Sequence, residues 1–311
     1  MIIGTAYLPK PGPHHEFVPR ATSWLSARAQ ALAHHQEASP HGWTCWAVYD
    51  AIKGLTGIGR ILLAAHAAGH HAEANDGLRA ALTTLTRMIL TSQGNRPGWW
   101  LPAHAHPPTV RVPTSGAATT GLAHGIAGPL ALLAIAQRAG HTVSGQREAI
   151  RAAAHWLLTW ADPGSSWPPY ISGAELDTGP GPGTSDVRGR KTAWCYGIAG
   201  TATALTHASR ALNDSDLWDT ARTALAHIAP YPGQWDTEGT AICHGSAGIL
   251  LASSRCTPHL ADTVANASLT MTSATPGFLN GNGGSALALA DYAGLLAHPQ
   301  SAAWDAILLL S

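Results

Sequence analysis

Runs of small and aliphatic residues recur along this chain, and each run begins at a Gly-x-x-Gly pair. The five pairs begin at Gly54, Gly125, Gly197, Gly245 and Gly281. Each run is apolar nearly all round, which is typical of helices that are buried on every side. Because recurrence at this scale is typical of arrays of helical hairpins, we expect each run to form the inner helix of one hairpin.

Three amphipathic segments separate these runs. Each segment places four apolar residues on one helical face: Leu78, Leu82, Leu85 and Ile89; Ile150, Ala153, Leu157 and Trp160; Leu217, Ala221, Leu225 and Ile228. No alternating strand pattern of comparable strength accompanies them. The sequence therefore predicts an all-α fold of inner and outer helices, and such hairpins can close into a two-layered ring. A solenoid is the alternative, although its terminal inner helices would need polar caps.

Charge and composition exclude several classes of partner. The 311 residues carry 18 Lys and Arg against 18 Asp and Glu, so no basic field favours nucleic acid or an anionic membrane. The N-terminus lacks the regions of a signal peptide, and no apolar run reaches the roughly 18 residues of a membrane span. Four cysteines in so long a chain do not indicate a disulfide framework. We therefore expect a soluble, cytoplasmic protein with reduced thiols.

The chain is expected to form one domain over residues 1–311. Residues 1–40 would be a short N-terminal region with one leading helix. Residues 162–193 are rich in Pro and Gly and would form a long loop directly before the third run. A loop in that place could form one wall of a substrate groove, or it could be disordered.

Residue types that can bind a metal recur at equivalent positions just before the runs. Cys195 and Cys243 each lie five residues before the second glycine of a pair. His124, Tyr196 and His244 lie four residues before it, and Asp50 lies seven residues before it in the first run. Equivalent positions of a ring gather at one end, so we expect these distant residues to meet there.

Cys195, Cys243 and His244 together form a set of two thiols and one imidazole. Three protein ligands with an open fourth position are typical of a catalytic zinc site. Two thiolates offset the charge of Zn²⁺, which favours binding of a soft third thiolate over activation of water. Zinc can deprotonate such a thiol, so activation of a thiol nucleophile would be the natural task. The alternative is that the cysteines are small buried residues and His244 is a surface histidine.

Four motifs carry a resemblance to a known family. They are "YDAIKGLTGIG" (49–59), "HGIAG" (124–128), "WCYGIAG" (194–200) and "CHGSAG" (243–248), and a late "GFLNGNGG" extends the match to about residue 290. In this order they resemble the motif set of the lanthionine synthetase C-like family. The resemblance implies an α/α toroid with zinc at one mouth. It also implies a lanthipeptide cyclase, which adds a peptide cysteine thiol to dehydroalanine or dehydrobutyrine and so forms a thioether ring.

The resemblance also assigns roles and partners. Cys195, Cys243 and His244 would be the zinc ligands, and His124, Asp50 and Tyr196 the acid–base groups near them. The substrate would be a precursor peptide already dehydrated by a partner dehydratase. Addition to the double bond produces an enolate that must be protonated at Cα, and a histidine suits that step near neutral pH. The alternatives are a hydrogen-bonded histidine at a helix start for His124 and an N-cap for Asp50.

The chain departs from the family pattern in two respects. Members usually have arginine four residues before the first zinc cysteine, where this chain has Lys191, with Arg190 one position earlier. Either cation could stabilise an enolate oxygen, although lysine lacks the planar fork of arginine. Only 49 residues precede Asp50, fewer than the leading repeats of the family need. We therefore expect a reduced toroid, a partner that completes it, or a shortened member.

Two other functions remain open at this stage. A prenyltransferase-like toroid would use zinc in the same way, but it should supply an aspartate ligand and an aromatic funnel, and the chain has only two Phe. A zinc-bearing scaffold that binds peptides or thiols without catalysis is the second alternative. Retention of His124, Asp50 and Tyr196 favours the enzyme over this scaffold.

Overall fold

The glycine-marked runs form the inner layer of a ring of helices. The computed structural model describes residues 16–108, 110–162, 166–181, 192–228, 232–235, 239–271, 275–296 and 303–311. Its α-helices are α1 (Phe17–Glu37), α2 (Trp46–Tyr49), α3 (Leu55–Ala67), α4 (His71–Leu90), α5 (Ala127–Arg138), α6 (Gln146–Thr159), α7 (Gly173–Thr178), α8 (Ile198–Leu212), α9 (Ser215–Ala226), α10 (Ser246–Ser253), α11 (Pro258–Thr270) and α12 (Asn282–Tyr292). Lys191, Arg190 and part of the predicted 162–193 loop lie outside the described residues.

The two layers follow the predicted alternation. Helices α3, α5, α8, α10 and α12 contact one another in that order and form the inner layer. Helices α4, α6, α9 and α11 pack outside them, and α1, the predicted leading helix, packs on α3 and α4. Every residue of α8 except Arg210 is buried, as an inner helix requires. The predicted all-α toroid is therefore confirmed.

Helix α12 differs from the other inner helices. Its run is as apolar as theirs, but only Gly284, Ser285 and Ala288 are buried, whereas Leu287 and Tyr292 are exposed. In the described part of the chain no outer helix follows α12. The apolar pattern predicted a helix here, and the exposure reflects how few neighbours it has.

Two small antiparallel sheets accompany the helices. Strands β1 (Ser92–Gln93) and β2 (Arg96–Pro97) form a hairpin, and β3 (Trp100–Leu101), β4 (Ala117–Thr119) and β5 (Tyr170–Ser172) form a sheet in the order β3-β4-β5. Strands of two or three residues are too short for alternation to reveal them. The second sheet matters because β4 ends at Thr119, whose hydroxyl donates to the His124 carbonyl at 2.6 Å. It thereby fixes the turn that carries His124.

Residues 303–311, which we call the central segment, lie inside the ring. They begin with a 3₁₀ turn, Trp304–Leu308, and most of them are buried. Four consecutive carbonyls accept hydrogen bonds from side chains: Leu308 from Trp194 at 3.0 Å, Leu309 from His207 at 3.1 Å, Leu310 from Arg255, and Ser311 from Arg60 at 3.0 Å. Arg60 is on α3 and His207 on α8, with α5 between these helices. A segment bonded to both must lie on the inner side of the ring.

No helix in the described ranges has both the length and the apolar character needed to cross a membrane.

Candidate metal centre and its neighbours

The predicted site residues that the structure describes lie in the turns that precede the inner helices, which we call the site end of the ring. Backbone hydrogen bonds join these turns in succession. They run from Ala51 N to Ala123 O at 2.9 Å, Ala123 N to Cys195 O at 3.2 Å, Cys195 N to Cys243 O at 3.2 Å, and Cys243 N to Leu279 O at 2.9 Å. The turns that the repeat marks as equivalent are therefore hydrogen-bonded neighbours in the structure.

The second glycine of each pair lets these turns close. At Gly200 a Cβ atom would overlap the carbonyl oxygen of Trp194, and at Gly248 it would overlap that of Ile242. In both cases the carbonyl lies six residues before the glycine, so the chain folds back onto the first turn of its own helix. A side chain there would push the residue at the preceding cysteine position out of register with its neighbours.

Cys195, Cys243 and His244 come together at the site end. One ligand atom from each lies within 4.8 Å of the other two, and Cys195 Sγ is 3.3 Å from His244 Nδ1. No other group of three His, Cys, Asp or Glu in the described residues meets this condition. Both thiols are buried, whereas His244 is more exposed. A zinc ion bonds sulfur at about 2.3 Å and nitrogen at about 2.0 Å, so separations of this size suit a shared ion.

The pKa values of the two thiols are shifted in opposite directions. A hydrogen bond from Cys243, with a smaller effect of His244, lowers the pKa of Cys195 to about 6. The same hydrogen bond, with burial, raises the pKa of the Cys243 thiol. Without a cation, then, the Cys195 thiol ionises more readily than an ordinary thiol and the Cys243 thiol less readily. A divalent ion can replace the proton of this hydrogen bond and keep both sulfurs ionised, which is the state that zinc ligands adopt.

None of the four cysteines forms a disulfide, and all four lie in described residues. Cys45 and Cys256 are half-buried thiols outside the metal group. The two cysteines that share a repeat position are therefore the two that meet.

Asp50 and His124 form a second group beside the first. His124 Nδ1 lies 3.1 Å from Asp50 Oδ2. The other carboxylate oxygen, Oδ1, accepts the backbone N–H groups of Ile52, Lys53 and Gly54 at 3.0, 2.6 and 2.8 Å. Asp50 thus closes the turn before α3 and also binds the imidazole, although the N-cap residue of α3 is Gly54. Oδ1 bonds the backbone of the turn and Oδ2 bonds the imidazole, so the structural role and the acid–base role are compatible in one carboxylate.

Tyr196 lies between the two groups. It follows Cys195 directly, and its ring centroid is 6.1 Å from that of His124. Burial raises the pKa of its phenol well above the ordinary value, and negative charge on nearby groups adds to the shift. The phenol therefore stays protonated at neutral pH and can donate a hydrogen bond to an anionic oxygen.

Sequence reasoning missed one residue of this site, Trp46. Its indole stacks on the His124 imidazole, with the ring centroids 5.0 Å apart and the planes 5° apart. Trp46 lies four residues before Asp50 and outside the positions compared between repeats, so the repeat gave no sign of it. The spacing itself was the available signal, because residues four apart share one face of a helical turn. Lys191 and Arg190 lie outside the described residues, and their role stays a prediction.

Comparisons with known proteins identify the family and the fold. The sequence model of the family described as lanthionine synthetase C-like protein matches residues 22–309. Among solved structures, nisin cyclase is similar with a TM-score of 0.72 and 20% sequence identity, over 86% of this chain and 68% of that chain. A comparison with curated proteins gives no match. The structural similarity supports the toroid fold, and the family match covers nearly the whole sequence. The chain therefore belongs to the lanthionine synthetase C-like family.

Proposed function

We propose that this protein is a zinc-dependent lanthipeptide cyclase. It would join the cysteine thiols of a dehydrated peptide to dehydroalanine or dehydrobutyrine and so close thioether rings. The observation that carries the proposal is the meeting of two groups at one end of the ring. Cys195, Cys243 and His244 can hold a metal, and the Asp50–His124 pair lies beside them with Tyr196 between.

The metal group suits the first half of this reaction. Zinc held by Cys195, Cys243 and His244 would lower the pKa of a substrate thiol and so supply the nucleophile. The group contains no carboxylate, which does not favour the prenyltransferase-like alternative. The two buried cysteines leave the more exposed His244 side as the approach for a peptide.

The neighbouring residues suit the second half. The thiolate sulfur forms a bond to Cβ of the dehydro residue, and the electron pair of the double bond moves to the carbonyl oxygen as an enolate. The protonated Tyr196 phenol can donate a hydrogen bond to that oxygen. His124 would then deliver a proton to Cα, while Asp50 at Nδ1 leaves Nε2 for the substrate side. Lys191 or Arg190 would add positive charge near the enolate.

The test is cyclisation of a dehydrated, cysteine-containing peptide by His124→Asn. Loss of the proton donor should lower turnover by roughly 10²–10⁴-fold, the usual contribution of a positioned acid. Zinc content and peptide binding should remain, and water could protonate either face of Cα, so product stereochemistry should become mixed. Rings are counted by mass after free thiols are blocked, and the diastereomers are separated by chiral analysis.

The matched control is His155→Asn, which changes an exposed histidine on the outer helix α6. It should cyclise at the wild-type rate. A wild-type protein that binds zinc and peptide but forms no rings would favour the non-catalytic scaffold. Wild-type rate and a single diastereomer from His124→Asn would exclude His124 as the proton donor and make Tyr196 or Asp50 the next candidate.

A further inference from the structure

The imidazole of His124 is held at one point by Asp50, but one hydrogen bond does not define the orientation of a ring. The bond of 3.1 Å joins Nδ1 to Oδ2, and this single distance does not fix both side-chain torsions, χ1 and χ2, that set the ring plane. A proton donor must present Nε2 in a set direction, because small misplacements of reacting groups cost large factors in rate. A second contact must therefore fix the plane of the ring.

Trp46 supplies a contact of that kind. Its indole is nearly parallel to the imidazole, at an angle of 5° and a centroid distance of 5.0 Å. Tyr196 is the other ring near His124, but it is tilted by 42° at 6.1 Å. Among the ring contacts of His124 in the described residues, only the one with Trp46 is parallel. Stacking favours parallel ring planes and so opposes rotation of the imidazole away from that orientation.

Trp46 is itself firmly placed. It begins the helical turn α2, is 8% exposed, and meets the edge of the buried His106 ring at a centroid distance of 5.8 Å and an angle of 82°. The same turn carries Asp50, whose backbone N–H donates to the Trp46 carbonyl at 3.0 Å. Since residues four apart lie on one face of a turn, a single element presents both the carboxylate and the indole to His124.

We infer that Trp46 is a positioning residue for His124: the indole fixes the plane of the imidazole, while Asp50 fixes its Nδ1 edge. The inference rests on the proposed cyclase function for its catalytic consequence but not for its structural content. A residue that acts in this way should change turnover and product stereochemistry and leave metal content and peptide binding alone.

The experiment uses the full chain loaded with zinc, in four forms: wild type, Trp46→Leu, Trp46→Phe and Trp99→Leu. Trp46→Leu removes the flat surface, and Trp46→Phe restores a smaller one. Trp99→Leu is the matched control, since Trp99 is also buried and its Nε1 also has no hydrogen-bond partner in the structure. Trp99 makes an edge-to-face contact with Trp156, and its ring makes no ring contact with the site residues that the structure describes.

The first readout is independent of catalysis. Histidine-selective ¹⁵N labelling gives long-range ¹H–¹⁵N spectra of the imidazoles, in which His124 is assigned by the loss of its signals in His124→Asn. In the wild type the ring protons of His124 should be shifted upfield by the indole. They should move downfield in Trp46→Leu, move partly in Trp46→Phe and stay in place in Trp99→Leu. Unchanged His124 signals in Trp46→Leu would overturn the inference.

The second readout is cyclisation of the dehydrated peptide. Trp46→Leu should lower kcat by about 10–100-fold with KM and zinc content unchanged, because only the direction of the proton donor is lost. The minor diastereomer should increase, and Trp46→Phe should recover part of the rate. Equal losses in Trp46→Leu and Trp99→Leu, with a single diastereomer from both, would show a general packing effect and overturn the inference. If wild type forms no rings, the proposed function fails, and the spectra still decide whether Trp46 positions His124.

Discussion

Two clusters of polar side chains in the described residues are built in opposite ways, one around the central segment and one in the turns before the inner helices. Around the central segment, the side chains that join it to the ring are bonded to a backbone carbonyl or to an opposite charge, whereas the buried Trp304 Nε1 and Ser311 Oγ have no hydrogen-bond partner among the described residues. Arg255 Nη2 lies 2.8 Å from Asp305 Oδ2, and Trp194, His207 and Arg60 each donate to a carbonyl of residues 308–311. At the site end, by contrast, the thiols and the imidazole of the metal group face one another.

The difference separates polar side chains that stabilise the fold from polar side chains that can bind a ligand. A buried donor with a carbonyl partner has its hydrogen-bonding capacity used inside the fold, so its removal should lower stability. Two thiols that lie against each other and an imidazole have a metal-binding capacity that the fold leaves open, so removal of one should affect ligand binding. The two clusters meet at Trp194, which donates to Leu308 and directly precedes Cys195. Substitutions that act on one cluster and not the other can test this division.

The largest expected effect is at the metal group. Cys243→Ala should reduce bound zinc well below one ion per chain and lower cyclisation by on the order of 10³-fold, because a metal supplies several kcal/mol of transition-state stabilisation. In the presence of a chelator its unfolding free energy should lie within about 1 kcal/mol of wild type. Metal analysis, peptide cyclisation and urea unfolding measure the three quantities.

Cys256→Ala is the control, since Cys256 is a half-buried thiol outside the metal group. It should keep zinc and activity. If Cys243→Ala kept the zinc content of the wild type, the metal group would be wrongly assigned and the contrast between the clusters would fail.

A smaller effect of the opposite kind is expected around the central segment. Arg255→Met leaves the Asp305 carboxylate, which is 2% exposed, without its bonded cation, while the charge of Arg60 still acts on it. Breaking a buried pair from one side costs about 3–5 kcal/mol, and the lower end applies here because Arg255 is itself 37% exposed. Urea unfolding should show this loss, whereas zinc content and activity per folded molecule should stay at the wild-type level.

Arg222→Met gives the comparison for this substitution. The Arg222–Asp219 pair is 3.7 Å apart and exposed on both sides, so its loss should cost less than about 1 kcal/mol. Equal stability of the two variants would mean that the central segment contributes no more than a surface ion pair does.

How much of each region could be predicted from the sequence differs for a physical reason. The site end follows from local repetition: Gly200 and Gly248 mark helix starts, and equivalent turns bond to one another, so Cys195 and Cys243 could be placed together. The stacking of Trp46 on His124 joins residues at non-equivalent positions, and periodicity carries no information about it.

The central segment could not be predicted from the repeat at all. Arg60 and Ser311 are bonded across 251 positions, and residues 303–311 contain no Gly-x-x-Gly pair. The pattern of apolar runs did not indicate that a buried segment would lie inside the ring, because its partners are single side chains on α3, before and within α8, and after α10.

The smallest of the three effects is a dependence of stability on pH, and it arises from His207. Burial lowers the pKa of this imidazole from 6.5 to about 3, although its bond to the Leu309 carbonyl opposes the shift. In the unfolded chain the His207 imidazole is therefore protonated below about pH 6.5, whereas in the folded chain it is protonated only below about pH 3. Stability from this group is complete above pH 6.5 and falls as the pH decreases toward 3. Between pH 7 and pH 5 the loss should be about 2 kcal/mol.

His207→Gln keeps a donor for Leu309 but does not titrate, so its unfolding free energy should fall by about 2 kcal/mol less over this range. Urea unfolding of both proteins at several pH values measures the difference, and other histidines cancel in it. If the unfolding free energies of the two proteins changed in parallel with pH, His207 would not be held neutral in the folded chain. The polar groups around it would then lack the structural role that distinguishes them from the metal group.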